Sequence, residues 1–570
     1  MKQLFFLLKA KGRFLKIGFL ALALSISLSQ AFSATIYIDP SYTGSYQNGS
    51  SSNPYNSWSK FSINSGNTYL QKAGTSTSSG SFAFTGKNNI TFGSYGTGAK
   101  PRITKPGTGN AIFYITGSYN ITIKDLEITS TGSWVSGITI QGSSSSNNLI
   151  KNVWIHKTGW GIRLLTTAAG NRILNSKIND IMDDGIFVQD ARNIEIGWCN
   201  ITDVNKKYLI NPAESYAAGD GIQLNSNNNL YFNIHHNTID HSSMGNKFCF
   251  YVWGNNYNGK LEFNTFIANS SKKSNGVFFN ATSNTILVRN NTFKAGYYGI
   301  ISYANLVDVN YNRFSKNTVG ILINPGYDLN ARNNVFYNNT KYGISASYGT
   351  FITLKNNVFN LSASPAKAFF FMGQVTSNNN VYNTQYSGFI NGYASLNAWR
   401  NSSGNDNSSV VGNPAFRNPS SDDFHIGSGS VAINRGQNVN LSVDYYGNIV
   451  PQQGNPDAGI HEYPGSKSEM IVADTTTIIP DSTAGLLNDS FSEARIYPNP
   501  SADGLFRIGG VNDGEDILVE AFDMSGNKLS ESAWGDPESM TVDLSGNAPG
   551  AYLIRIQSDD DFTTLKAVIK

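Results

Sequence analysis

The sequence predicts an all-β protein whose body is a right-handed parallel β-helix. Three observations carry this. Short phrases recur at near-constant spacing, each recurrence brings a second short strand, and asparagine and glycine mark the corners between them. The phrases DLEI, KNVWI, LNSKI, GWCNI, HHNTI, EFNTF, RNNTF, NYNRF, RNNVF and KNNVF end at Ile128, Ile155, Ile178, Ile201, Ile239, Phe266, Phe293, Phe314, Phe336 and Phe359. Their successive intervals are 27, 23, 23, 38, 27, 27, 21, 22 and 23 residues. Between them stand SGITI, WGIRL, DGIFV, DGIQL, NGVFF, YGIIS, VGILI and YGISA. Such a repeat cannot bury an apolar face alone, but coils stacked at roughly 4.8 Å form one continuous core. Leucine-rich repeats would need helical segments and their leucine spacing. A propeller blade would need about twice the coil length.

Composition limits what the chain can do. Of 570 residues 14% are charged, 55 are glycine, and the net charge is +3. That balance, with no basic block after the first segment, argues against a nucleic-acid partner. Two cysteines, Cys199 and Cys249, allow at most one bridge, which excludes a disulfide framework.

Residues 1–33 read as a cleaved secretory signal: Lys2, Lys9, Lys11, Arg13 and Lys16 precede an apolar run from Ile17 to Leu28, and small residues follow at Ser29 and Ala31. The run is too short to span a bilayer, so the mature chain is expected to hold no transmembrane segment. The solenoid with its capping segments is assigned residues 34–463. One interval, the 38 residues from Ile201 to Ile239, breaks its rhythm. The excess is VNKKYLINPAESYAA, residues 204–218, a loop expected to leave the stack and wall a groove.

Counting back from the anchors aligns the residues that precede the second strand. Taking the interval of 18 seen at Gly221, Phe248 falls in the glycine position. The column ahead of it then reads Trp160, Asp184, Asp220, Lys247, Asn275 and Tyr298. Neighbours in such a column lie one coil apart, which brings Asp184, Asp220 and Lys247 onto one face. His235 and His236 adjoin an asparagine corner, where one must point inward, and His241 is expected to be exposed.

GDGIQL followed by IDHSSMGNK, residues 219–224 and 239–247, resembles the β-helical polysaccharide lyases, in particular the alginate-lyase-like polysaccharide lyase family 31. The resemblance spans roughly residues 35–463. FCFYVW, residues 248–253, departs from the related chondroitinase-B-like lyases, which carry a catalytic arginine beside their lysine. TIYIDP…NGSSSNPYNSW (35–58) and VGNPAFRNPSSDDFHIGSGSVAINRG through DAGIHEY (411–463) resemble the entry and closing segments of bacterial β-helix enzymes. A serine-, threonine- and aspartate-rich linker, 464–489, leads to residues 490–570. There ARIYPNPSADGLFRI, VEAFDMSGNKL and LSGNAPGAYLIRI resemble the small β-sandwich sorting domain of Bacteroidetes-type bacteria, which implies type IX secretion machinery as a partner and delivery outside the cell or to its surface.

The lyase resemblance implies an acidic, alginate-like polysaccharide substrate and β-elimination by a chain expected to act as a monomer. Elimination at a uronate requires neutralising its carboxylate, removing the proton at carbon 5 and protonating the leaving oxygen. Lys247 is assigned as the base, Tyr216 or His241 as the acid, and Asp184, Asp220, Trp160, Tyr251 and Asn275 as substrate-binding groups. Trp134 and Trp253 are further stacking candidates. A carboxylate beside an amine holds the proton on it, whereas a base must release it. Ca²⁺ between Asp184 and Asp220 would reverse that local charge; a metal-free site with a desolvated Lys247 is the alternative. Two other readings stand beside the lyase: a β-helical glycoside hydrolase, because MDDG (182–185) resembles part of the polygalacturonase signature, and a non-catalytic surface adhesin.

Overall fold

The computed structural model describes residues 33–465, apart from 133, 167–168, 207–218, 227–229, 244, 246, 256, 283–284 and 362–365, and most of the strands within 495–569. The signal segment, most of the linker and Tyr216 lie outside the described residues. The chain divides into two compact units, residues 1–465 and 466–570.

In the first unit each coil contributes one strand to each of three parallel sheets. A representative coil runs through Leu149–Lys151 in sheet one, Trp154–Thr158 in sheet two and Ile162–Leu165 in sheet three, and returns to sheet one at Arg172–Leu174. Among the described residues, sheets one and two hold fourteen strands each and sheet three holds twelve. The periodic anchors pair as their spacing demands: Ile128, Ile155, Ile178, Ile201, Ile239, Phe266, Phe293, Phe314, Phe336 and Phe359 are register partners in sheet two, all fully buried. From Phe266 to Phe359 the rings stack with centroids 4.7–5.2 Å apart. That is the coil spacing, so each added coil extends an aromatic column as well as three ladders.

The glycine that opens most strands of sheet three is closely packed against the next coil. A Cβ on Gly161 would lie 2.2 Å from the Gly185 carbonyl oxygen, and one on Gly221 would lie 2.4 Å from that of Cys249. Ile222 pairs with Phe250, and Phe250 with Val277, so the small Cys249 occupies the glycine position of its coil. This corrects the register expected from counting by one residue. Phe248, not Lys247, shares the column of Asp184, Asp220 and Asn275, and Lys247 stands one place earlier. The physical reason is size. Phe248 cannot enter the crowded glycine position, and its ring instead packs on Tyr251 and Phe278.

Two segments close the solenoid. Trp58 packs on Tyr69, Phe82 and Phe92 at the first coils, and Phe389 and Trp399 pack on Tyr382 and Phe369 at the last. The segment expected to cap the end does something else: Phe424, Ile426, Ala458 and Ile460 form a second core with Tyr311, Val335, Val358 and Val381 along the flank of the coils. The second unit is two antiparallel sheets. One holds Arg495–Tyr497, Leu505–Gly509 and Thr541–Asp543, the other Ile517–Asp523, Lys528–Trp534, Gly550–Ser558 and Asp561–Ile569. Its own core includes Phe506, Ile508, Val519 and Ile554. No helix among the described residues is long and apolar enough to cross a membrane.

Candidate functional site

The insertion leaves and rejoins the solenoid at the start of sheet three. Ile201 and Ile239 remain register partners although 38 positions apart in sequence. The outgoing chain is pinned where the Asn205 amide donates to the Asp183 carbonyl (3.0 Å) and the Lys206 amide to that of Ile181 (3.0 Å). The returning chain is held by the Asp184 side chain, whose Oδ1 accepts the Gly219 and Asp220 amides at 3.0 and 2.8 Å. Gly219, at φ +118°, abuts the Asn205 side chain, so the two ends of the loop touch.

Asp220 repeats the motif one coil on, its Oδ1 accepting the Phe248 amide at 2.9 Å. Both aspartates are buried. Burial, with repulsion from Asp183 and Asp220, drives the Asp184 carboxyl well above the usual carboxylate range, against the two amides that favour its charge. Burial likewise raises Asp220, to about 6, although Lys247 and the Phe248 amide oppose it and Asp183 adds to it. Both carboxyls are thus shifted toward the protonated form. Lys247, partly exposed, acts on Asp220 from the next coil, and Asp184 lies one coil to the other side of Asp220.

His241 is not exposed as expected. Nε2 lies 2.9 Å from the Gly219 carbonyl and donates to it, and Nδ1 has no hydrogen-bond partner among the described residues. Burial lowers its pKa, which keeps the ring neutral. Its role is to hold the rejoining loop. The rest of IDHSS is similarly engaged in turns, with Asp240 accepting the Ser242 amide and Ser243 donating to Asp203. His235 and His236 lie at another corner, where sheet one ends. Neither enters the solenoid core: His235 contacts Glu195 under Trp198, and His236 stacks between Trp198 and Phe263.

Asn275 continues the aspartate column. Its Oδ1 accepts the Tyr298 amide and its Nδ2 donates to the Lys273 carbonyl, so both ends of the amide hold backbone. Trp160 lies 5.5 Å from Trp134. Tyr251 sits half-buried between Phe248 and Phe278, and Trp253 is 47% exposed. The outward row of sheet three runs Arg163, Phe187, Gln223, Tyr251, Phe278 and Ile301, an open apolar face beginning beside the carboxylates. Arg163 was not among the residues singled out from sequence. Strand parity carries the signal, since the second residue after the opening glycine must face outward.

The donors do not make a calcium cage. Ca²⁺ takes six to eight oxygens, whereas Oδ1 of each aspartate already accepts amides. No cluster of three His, Cys, Asp or Glu side chains suited to a metal occurs among the described residues.

Two family models match the solenoid: "right handed beta helix region" over residues 36–293 and "periplasmic copper-binding protein (NosD)" over 270–418. The second stretch contains no histidine or cysteine and a single methionine, so the usual copper donors are missing from it. "Secretion system C-terminal sorting domain" matches residues 495–570. The chain thus carries a type IX sorting domain, which makes it a secreted or cell-surface protein. None of the curated proteins matches the sequence. Among solved structures, a GH136 lacto-N-biosidase from Eubacterium ramulus is 12% identical over 60% of this chain and 68% of its own (TM-score 0.39). The mannuronan C-5 epimerase AlgE6 A-module of Azotobacter vinelandii is 14% identical over 60% and 89% (0.35). XylC in complex with xylose is 10% identical over 75% and 99% (0.41). Likeness at this level assigns no activity.

Proposed function

We propose that the solenoid is an exported enzyme that cleaves an acidic, alginate-type polysaccharide by β-elimination at the start of sheet three. The observation supporting this is the convergence of Lys247, Asp184 and Asp220 at the mouth of the one long insertion, beside an open aromatic face. Lys247 is the base that removes the proton at carbon 5. Tyr216, on the insertion, is the acid that protonates the leaving oxygen. Asp184 and His241 are positioning residues that fix where the insertion rejoins, and Tyr251 and Trp160 supply surface for sugar rings.

One observation favours a second reading. Two buried carboxyls, both shifted toward the protonated form, are what a glycoside hydrolase draws on for its general acid. A panel of alginate, polygalacturonate and glucuronan separates the two. Elimination creates a conjugated unsaturated uronate with new ultraviolet absorbance, whereas hydrolysis releases reducing ends without it. Binding with neither product would make the solenoid an adhesin.

A further inference from the structure

Arg163 is a cation with an unused donor beside the candidate site. It projects from the outward face of sheet three as register partner of Phe187, and its guanidinium carbon lies 4.8 Å from the centre of the Trp160 ring. Trp160 stands in the column of Asp184 and Asp220, one coil earlier. Arg102, Arg172 and Arg332 each direct a donor at a carboxylate, of Glu127, Glu195 and Asp308. Nε of Arg163, like that of Arg289 and Arg435, is buried with no hydrogen-bond partner among the described residues. Nε itself is shielded from solvent, but the side chain is half-exposed on the outward face, where the complement of a guanidinium is an anion.

We propose that Arg163 binds the carboxylate of the substrate's uronate and so selects acidic over neutral polymer. This rests on the polysaccharide reading of the site above. A guanidinium is weakly hydrated, tolerates partial burial and offers a planar fork that a carboxylate meets with two parallel hydrogen bonds. Trp160 holds the plane of that fork from one side. Burial lowers the Arg163 pKa while Asp183, Asp184 and Tyr114 oppose the shift, and the group stays charged at any working pH. Arg163 and Lys247 flank the aspartates from opposite sides in coil order.

The test compares full-length wild type, Arg163→Gln and Arg163→Lys in titrations with alginate and polygalacturonate and with the same polymers after chemical reduction of their carboxyls. Tryptophan fluorescence and affinity electrophoresis report binding, and circular dichroism checks the fold. Arg163→Gln should weaken binding of the acidic polymers by about ten- to a hundredfold, the range for a hydrogen bond to a charged group. It should leave binding of the reduced polymers unchanged, and Arg163→Lys should fall between. Equal binding of acidic polymer by Arg163→Gln and wild type overturns the proposal. So does an equal loss for acidic and reduced polymers, or a wild type that binds neither acidic polymer. Failure of the elimination reading looks different: carboxylate-dependent binding through Arg163 with no unsaturated product keeps the arginine and ends the lyase. Unsaturated product at unchanged KM in Arg163→Gln does the reverse.

Discussion

Two ladders of short polar side chains run along the same solenoid and do the same mechanical job with different chemistry. In the first, Asn237, Asn264, Asn291, Asn312, Asn334, Asn357 and Asn380 follow one another coil by coil, each Oδ1 accepting the backbone amide of the coil before at 2.9–3.0 Å. Their Nδ2 atoms donate to carbonyls such as those of Ile234, Leu261 and Val288. In the second, Asp184 and Asp220 accept the amides of Asp220 and Phe248, and Asn275 accepts that of Tyr298. An amide satisfies such a position without charge and has an N–H to offer in return. A buried carboxylate there raises its own pKa and repels its neighbour. Coil stacking does not require acids at 184 and 220, and the proposed site is placed there for that reason.

The comparison can be broken in four places. The largest effect is expected at Lys247. Lys247→Ala should lower turnover on a cleaved polyuronate about a thousandfold, as loss of a general base does, while the melting temperature stays within the wild-type range. Near-normal product formation would remove the amine from the mechanism. The next largest lies in the neutral ladder. Asn312→Asp places a carboxylate between Asn291 and Asn334, where it loses the donor to Val288 and gains no cation. It should destabilise the solenoid by about 3–5 kcal/mol, seen as an earlier urea transition; an unchanged transition would mean the ladders are interchangeable.

Asp220→Asn makes the reciprocal exchange. The Asp220 pKa is raised from 3.8 to about 6 in the folded chain, so the folded state holds more proton than the unfolded one between those values. Its favourable contribution is complete below about pH 4 and is lost as pH rises through about 6. Asp220→Asn should therefore match wild type at low pH and exceed it above pH 7 by about 2–3 kcal/mol, even though it loses activity. Denaturation across pH reads the crossing, and a variant less stable at pH 8 would refute the view that an amide suffices there. The smallest effect is expected from metal removal. Because the aspartate oxygens already hold backbone amides, exhaustive chelation should leave the solenoid's melting temperature unchanged. A fall of several degrees would mean that a bound cation stabilises the native state.

Much of this was legible in the one-dimensional pattern, and where legibility stopped has a physical cause. Every anchor from Ile128 to Phe359 stacks as its spacing implied, because a one-residue slip in a parallel ladder would turn an apolar row to solvent. The register partnership of Ile201 and Ile239 across the long interval was equally readable, while residues 207–218 lie outside the described residues. At the strand of Phe248 the count failed by one. Intervals to the anchor vary between coils, and only the crowding at Gly221 determines that Cys249, not Phe248, fits.

The sequence alone thus determined the solenoid, its coil boundaries, the sorting domain and the coils in which charge gathers, because each follows from periodicity or from a contiguous phrase. The tertiary structure decided which way side chains turn and what surrounds them. It buried His241 under the Gly219 carbonyl, engaged Asp184 with the loop's return, and left Nε of Arg163 over Trp160 without a partner among the described residues. Those outcomes depend on contacts between residues more than twenty positions apart, where the space left by neighbouring coils, and not the local phrase, sets burial, hydrogen bonding and charge.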